Sequence, residues 1–303
     1  MAVLDIMLPF YGDGDYLEAA IRSVLDQESS EWRLTVIDDA YPDPTIGDRV
    51  RAFGDGRIAY VRNTENVGIT ANFNRALALA EAERLVIMGG DDRMLPAFVG
   101  RALKLAERFP DAAIIQPGVR VIDDDGAVYE PLADRVKRRY RPKGQRPLEV
   151  GGEPVARSLL RGNWMYFPSL VWRRDALAGG FRTDLSIVQD LEKILRIVMA
   201  GQTVAIDDEP VFEYRRHRAS LSAATGIDGT KFAEERTVFA EAAQASTRLG
   251  WLGAARAARR HTSSRLHALT EVPGAVRRGR WTAVRHLLRH AFGPLGRPSG
   301  AGS

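Results

Sequence analysis

The chain of 303 residues contains no cysteine. That excludes disulfides and thiolate metal sites, and a reducing cytoplasm is the expected compartment. No apolar stretch approaches the roughly 20 residues that span a bilayer. The amino terminus, Met1-Ala-Val-Leu-Asp-Ile-Met-Leu-Pro9, lacks the basic start and long apolar centre of a signal peptide. A soluble cytoplasmic protein is expected. There is no internal repeat. A dinucleotide fingerprint is missing too: Gly12-Asp-Gly14 lacks the third glycine and puts acids where a pyrophosphate would sit. Nothing between Leu8 and Tyr16 matches the Gly-x-Gly-Thr-Arg loop that opens sugar-1-phosphate nucleotidyltransferases.

The net charge of +4 is unevenly spread. Ser246 to Ser303 holds 11 arginines against one acid, Glu271, for +10, which leaves −6 on the remainder. An acidic body with an arginine-rich tail suggests an anionic partner for the tail: the inner face of a membrane, a phosphorylated acceptor, or another subunit as in a homodimer. Nucleic acid would satisfy the charge alone, and no other feature supports it. A solvated helical surface fits the composition equally well.

Over the first ~120 residues strand and helix alternate. Val3 to Leu8 is an apolar run broken only by Asp5 and ended by Pro9. Asp15 can cap a helix to Gln27 whose apolar face is Leu17, Ala20, Ile21, Val24 and Leu25. Leu34–Ile37 runs into Asp38 and Asp39; Ile58–Val61 is a third strand; Thr70–Ala82 reads as helix. Another helix follows Pro96 as far as Phe109, and Ala113–Gln116 is a strand. The pattern predicts a Rossmann-like, doubly wound, mostly parallel α/β sheet with helices on both faces. Residues 130–147 are basic and proline-bearing, and read as an exposed loop. Asn163–Trp172 is rich in aromatics, a wall for stacking a sugar or a core strand. From Phe232 onward the propensity is helical, with a break expected at Pro273-Gly274 and a disordered Gly/Pro/Ser tail.

The most informative stretch is Arg84-Leu-Val-Ile-Met-Gly-Gly-Asp-Asp92. A buried strand ends in two glycines that let the backbone turn, followed by two adjacent carboxylates. Open α/β sheets bind ligands at the carboxyl ends of their strands. Paired carboxylates there form a hard oxygen site suited to Mg²⁺ or Mn²⁺ carrying a diphosphate. A solvated Gly-Asp turn is the alternative.

Several local features stand in one order: Leu8-Pro-Phe-Tyr11, Val36-Ile-Asp-Asp39, Asn63-Thr-Glu-Asn-Val-Gly68, Ala71-Asn-Phe-Asn-Arg-Ala-Leu77, Gly89-Gly-Asp-Asp92, Val188-Gln-Asp190 and Tyr214-Arg-Arg-His-Arg-Ala-Ser-Leu-Ser222. This order and spacing resembles the family-2 glycosyltransferases, inverting enzymes of GT-A fold that use nucleotide sugars. The resemblance implies a GT-A catalytic domain over residues 1–222. Residues 1–117 would form the nucleotide-sugar half and 118–222 the acceptor and base half, followed by a basic helical region over 223–303. By the same resemblance Asp39 accepts from the imide N–H of uracil or thymine, and Pro9, Phe10 and Tyr11 line the base and ribose. Asn66 and Gly68 belong to the stretch over the base, and Asn74 helps hold that stretch. Asp91 and Asp92 hold ribose and a divalent metal, although Gly89 replaces the first acid of the family's run.

Asp190 matches the catalytic base, with Gln189 where a second acid is usual and Asp184 as the other candidate for the role. His217 is a candidate metal ligand. Arg215 and Arg216 are candidates for gripping diphosphate or acceptor, and Trp164 for an acceptor wall. The activity implied is transfer of a sugar from a UDP- or TDP-sugar to an acceptor hydroxyl: a polyprenol-linked sugar, a polysaccharide or a natural product. A non-catalytic module of the same fold that binds nucleotide sugar is a second reading, favoured by Gly89 and Gln189. Nucleotide cyclases and polymerase palms also use Gly-Gly-Asp or Gly-Asp-Asp runs. Here Arg93 and Met94 follow, and the surrounding chain alternates strand and helix.

Overall fold

A computed structural model describes residues 3–216 and 230–295. One nine-stranded sheet has the order β3-β2-β1-β4-β8-β6-β9-β5, with β7 also on β9. Its strands are β1 (Leu4–Phe10), β2 (Trp32–Asp38), β3 (Ile58–Arg62), β4 (Arg84–Ile87), β5 (Arg93–Met94), β6 (Ala112–Ile122), β7 (Leu148–Gly151), β8 (Val171–Arg173) and β9 (Thr203–Arg215). β3, β2, β1 and β4 are mutually parallel, as the alternating pattern predicts. β8 then enters antiparallel between β4 and β6, while β6 and β9 run parallel. The sheet is therefore mixed in its second half.

Helices, among them the short α2 (Ile46–Arg51), cover both faces, so β1 and β4 are buried on both sides and read as continuous apolar runs. The period of two still sorts them. Ile6, Leu8 and Val86 pack with α1 (Gly14–Leu25) and α4 (Phe98–Arg108), whereas Met7, Leu85 and Ile87 pack with α3 (Ile69–Leu79), α6 (Gly152–Arg161) and α7 (Gln189–Met199). The polar break in β1, Asp5, is buried and pairs with Arg33 at 2.8 Å. It also accepts from the amides of Glu81 and Ala82, which closes the turn into β4.

Three local expectations are corrected. Asp13, not Asp15, caps α1: its backbone is extended, and its carboxylate accepts from the Asp15 amide at 2.7 Å. Residues 130–147 are not simply an exposed loop. They contain helix α5 (Leu132–Arg138), whose Asp134 is buried against Arg216. Helix α10 (Thr262–Arg277) continues through Pro273. Packing of Ala268 and Ala275 with Val284 and Leu287 of α11 (Trp281–Phe292) outweighs the lost hydrogen bond. Residues 296–303, in the stretch expected to be a disordered tail, lie outside the described residues.

The carboxyl-terminal helices share the hydrophobic core of the sheet domain. Val238, Phe239, Ala242 and Ala243 of α8 (Thr230–Arg248) lie in one cluster with α6 and α7, as do Ala254 and Ala258 of α9 (Leu252–Arg260). Glu153, in the first turn of α6, accepts from the amides of Gly253 and Ala254 at the start of α9. Packing is thus continuous across the expected boundary at 222. Among the described residues no helix is long and apolar enough to cross a membrane.

Candidate active site

The first group of side chains gathers where β1 and β2 end. Asp39 is 2 % exposed, and its amide donates to the Phe10 carbonyl at 2.9 Å. Its carboxylate accepts from Asn63 Nδ2 at 2.6 Å and from the amides of Val67 and Gly68, both at 2.9 Å. Gly68 has φ 84°, a left-handed conformation that glycine adopts without strain. The Asn66 side chain also accepts from the Gly68 amide. Asn63 reaches Asn72, which donates to the Ile37 carbonyl. Asn63 and Asn72, absent from the sequence-based assignment, therefore lock the loop around Asp39. Asn74 does not hold that loop: its amide makes two hydrogen bonds with the backbone of Phe181 instead. Pro9 is the next-to-last residue of β1, paired with Ile37. Phe10 is buried against Tyr41, whereas Tyr11 is exposed and meets Tyr41 edge-on.

The second group follows β4. Asp92 is 1 % exposed; its Oδ1 accepts from the Arg215 amide at 2.8 Å, while Oδ2 is buried without a partner. Burial pushes the Asp92 carboxyl well up, the neighbouring Asp91 adds to this, and Arg215 opposes it. A Cβ on Gly89 would lie 2.5 Å from Asp92 Oδ2 and 2.9 Å from Asp91 Oδ1. Both carboxylates thus converge on the space that a side chain at position 89 would fill. An orphaned buried oxygen beside a second carboxylate fits a divalent cation, which takes hard oxygen donors. Among the described residues no third His, Cys, Asp or Glu joins them. His217, the further candidate, lies outside the described residues.

Arg215 is a strut and not an open clamp. Its guanidinium donates to the carbonyls of Asp91, Asp123 and Asp124, and it lies over the Tyr16 ring.

The third group lines a cavity of about 1840 Å³ bounded by β6, α5, the 139–146 segment, α7, α8 and α10. Asp190 stands in the first turn of α7, where the helix dipole favours an anion. Burial nevertheless raises its pKa, against the Leu191 amide, Lys137, Lys231 and the Asn163 side chain, which donates at 3.4 Å. Arg216 shares the cavity and pairs with Asp134 at 2.7 Å. Trp164 lines it while only 3 % exposed, its indole N–H donating to Ser158. Tyr166 and Tyr214 form the more accessible aromatic wall, with ring centres 5.3 Å apart. Burial pushes the Tyr166 hydroxyl up to about 12. Asp184, the other base candidate, is exposed and held by Arg182 at 2.7 Å.

Asp39, Asp91 and Asp92 are not among the residues lining this cavity. β9 links it to the second group: alternation turns Tyr214 and Arg216 to the cavity while Arg215 turns to Asp91 and Asp92.

The segment before Asp190 is fixed by a residue that local sequence patterns give no reason to single out. Glu234, from α8, accepts from the amides of Ser186, Ile187 and Val188 at 3.0, 2.9 and 3.2 Å, and from the Ser186 hydroxyl at 2.7 Å. It braces the entry into α7 from another helix. The next residue, Glu235, lines the cavity with Lys231; burial raises its carboxyl, and Ser264 donates to it.

The model of Glycosyl transferase family 2 matches residues 5–171. An uncharacterised protein of Mycobacterium tuberculosis is 29 % identical over 225 residues, covering 72 % of this chain and 68 % of that one. A second protein of that species is matched over 62 % of its length. Among solved structures, S. aureus TarS 1-349 superposes with a TM-score of 0.65 at 14 % identity, covering 96 % of this chain and 81 % of that one. The mannosyltransferase PcManGT of Pyrobaculum calidifontis, in complex with GDP-Man and Mn²⁺, gives 0.59 at 18 % identity, covering 95 % and 85 %. The solved structures share the fold; the family match over more than half of the sequence carries the assignment. The chain belongs to glycosyl transferase family 2, and the protein is a glycosyltransferase.

Proposed function

We propose that the protein transfers a sugar from a UDP- or TDP-sugar to an acceptor hydroxyl with inversion, by direct displacement at the anomeric carbon. The observation that carries this reading is the convergence of Asp91 and the orphaned Asp92 Oδ2 on the space above Gly89, beside the end of β1. Asp39 offers the remaining acceptor capacity of a rigid carboxylate to the base imide, with Tyr11 alongside. Asp91 and Asp92 would hold Mg²⁺ or Mn²⁺, which supplies charge neutralisation for the departing diphosphate. TarS has also been solved with UDP-GlcNAc, and PcManGT carries Mn²⁺.

Asp190 takes the proton of the acceptor hydroxyl as that oxygen attacks. The bond to the diphosphate breaks on the opposite face, and no covalent intermediate is needed. A carboxyl raised by burial is a better base than an exposed one, because its proton affinity is higher. Arg216, at the junction of cavity and β9, is placed to steady the acceptor or the leaving group. The cytoplasm is the proposed site of action.

Isothermal titration with UDP- and TDP-sugars in Mn²⁺, together with nucleoside diphosphate release on addition of acceptor, tests the assignment. Asp190→Asn should keep donor affinity and lose at least ~10²-fold in transfer, as removal of a general base implies. Undiminished turnover in that variant would remove Asp190 from the role. Donor affinity without any turnover in the native chain would favour a nucleotide-sugar-binding module.

A further inference from the structure

We propose that the acceptor is an amphiphile, a sugar joined through phosphate to a hydrocarbon chain, and that the cavity leading to Asp190 holds all three parts. This rests on the reading of Asp190 as the base. The cavity rim is unusually apolar for an exposed surface. Leu132 is 70 % exposed, Val128 and Leu266 are both 59 %, and Val136 is 41 %; all four line the opening. Leu132 and Val136 stand one turn apart on α5 and so share a face. Contiguous exposed apolar side chains around a concave site mark a ligand or partner surface.

The lining is also cationic. Lys137, Arg139, Arg141, Lys143, Arg146 and Arg216 all face the cavity. Several of these arginines are paired with Asp134 or Asp208, yet donors are left over. The Nε atoms of Arg141 and Arg216 are buried without a hydrogen-bond partner. Lys137 is held low by burial and by the charge of Arg216, so an added anion would stabilise its charged form. The same cavity holds Asp190 and Asn163 with the aromatic wall of Tyr166 and Tyr214.

The lining thus combines apolar, cationic and aromatic side chains with a base. A hydrocarbon, a phosphate and a sugar hydroxyl match that set. A neutral glycan would leave the buried guanidinium donors unanswered, and a soluble polyanion would leave Leu132, Val136 and Leu266 in water. A chain-linked phosphate satisfies both.

The test uses the full chain with saturating UDP and Mg²⁺, so that the donor site is filled. Calorimetry compares farnesyl monophosphate, inorganic phosphate and farnesol, each below its aggregation concentration. Farnesyl monophosphate should bind at least about tenfold more tightly than either fragment, since seating one or two apolar side chains' worth of surface is worth that much. The exposed double substitution Leu132→Ser/Val136→Ser should bring its affinity down to that of phosphate and leave UDP binding unchanged. Arg139→Gln/Lys143→Gln should weaken both phosphate-bearing probes and leave farnesol unaffected.

Equal affinity for phosphate and farnesyl monophosphate would eliminate the apolar half. Equal affinity for farnesol and farnesyl monophosphate would eliminate the cationic half, and displacement by UDP would put the probe in the wrong site. Failure of UDP itself to bind would instead count against the nucleotide-sugar reading, and the comparison of probes would still decide what the cavity holds.

Discussion

Replacing Glu234 by alanine separates the carboxyl-terminal helices as bystanders from the same helices as part of the catalytic unit. One carboxylate accepts three successive backbone amides and a hydroxyl immediately before α7, and Asp190 is the second residue of that helix. A hydrogen bond to a charged acceptor contributes about 1.5–3 kcal/mol. Because Ser186 is exposed, water replaces part of what is lost. A stability loss of about 1–2 kcal/mol is therefore expected for Glu234→Ala, too little to unfold a domain of this size.

The kinetic effect should be larger. A base displaced by about 1 Å can cost roughly 10²-fold, and Asp39 and Asp91 lie on other elements. The expected pattern is a fall in kcat with an unchanged Kd for UDP. Glu234→Gln retains one acceptor oxygen and should restore part of kcat. Steady-state kinetics beside UDP calorimetry and a melting curve decide the case. An unchanged kcat, or a fall matched by weaker UDP binding, would refute the link between α8 and Asp190.

Two further outcomes follow from buried groups. Gly89→Ala puts a Cβ 2.5 Å from Asp92 Oδ2. The variant should fold, keep metal-free UDP binding, and lose most of the enhancement by Mn²⁺; retention of that enhancement would show that the cation sits elsewhere. His261 and His290, 0 % and 1 % exposed, are pulled down from 6.5 to about 4 and about 3, chiefly by burial. Below about pH 6.5 the unfolded chain takes up protons that the folded chain refuses, so this contribution is full above that pH and falls as pH drops. By about pH 5 the loss is about 2 kcal/mol for each histidine. Thermal unfolding from about pH 7.5 to 5 should show the decline in the carboxyl-terminal helices, and a flat profile would contradict the buried neutral pair.

Much of the first half of the fold was legible because periodicity acts locally. β1, β2 and β4 are short, largely apolar runs that break off before Tyr11, Asp39 and Gly89, although β1 runs through Pro9, and α1 and α4 carry apolar faces at helical spacing. The second half was less so. β8 has only three residues and lies antiparallel between β4 and β6, a placement set by tertiary pairing. α5 is too short and too charged to announce itself, and gains its place from Asp134 and the wall it builds. No local pattern could show that Glu234 would brace the entry to a helix so much earlier in the chain, because that contact exists only once α8 has packed on α7.

The site itself shows where matching residues to a motif stops being informative. By sequence, Gly89 reads as the loss of one acid from a metal cage. In the fold its missing Cβ is the space into which Asp91 and Asp92 point, so the glycine lets two carboxylates approach one another. Arg215 and Arg216 are equally basic neighbours, yet strand alternation sends the first into three carbonyls behind Asp91 and the second into the acceptor cavity. Substituting each in turn should therefore differ in kind. Arg215→Ala keeps the backbone amide that Asp92 accepts but leaves three carbonyls without a donor and removes the positive charge near Asp92, so it should lower the melting temperature along with metal-dependent UDP affinity. Arg216→Ala should also lower the melting temperature, because the buried Asp134 loses its partner, but should leave metal-dependent UDP affinity near native and raise the acceptor KM. Identical phenotypes would mean that the two side chains do not divide the work as the strand places them.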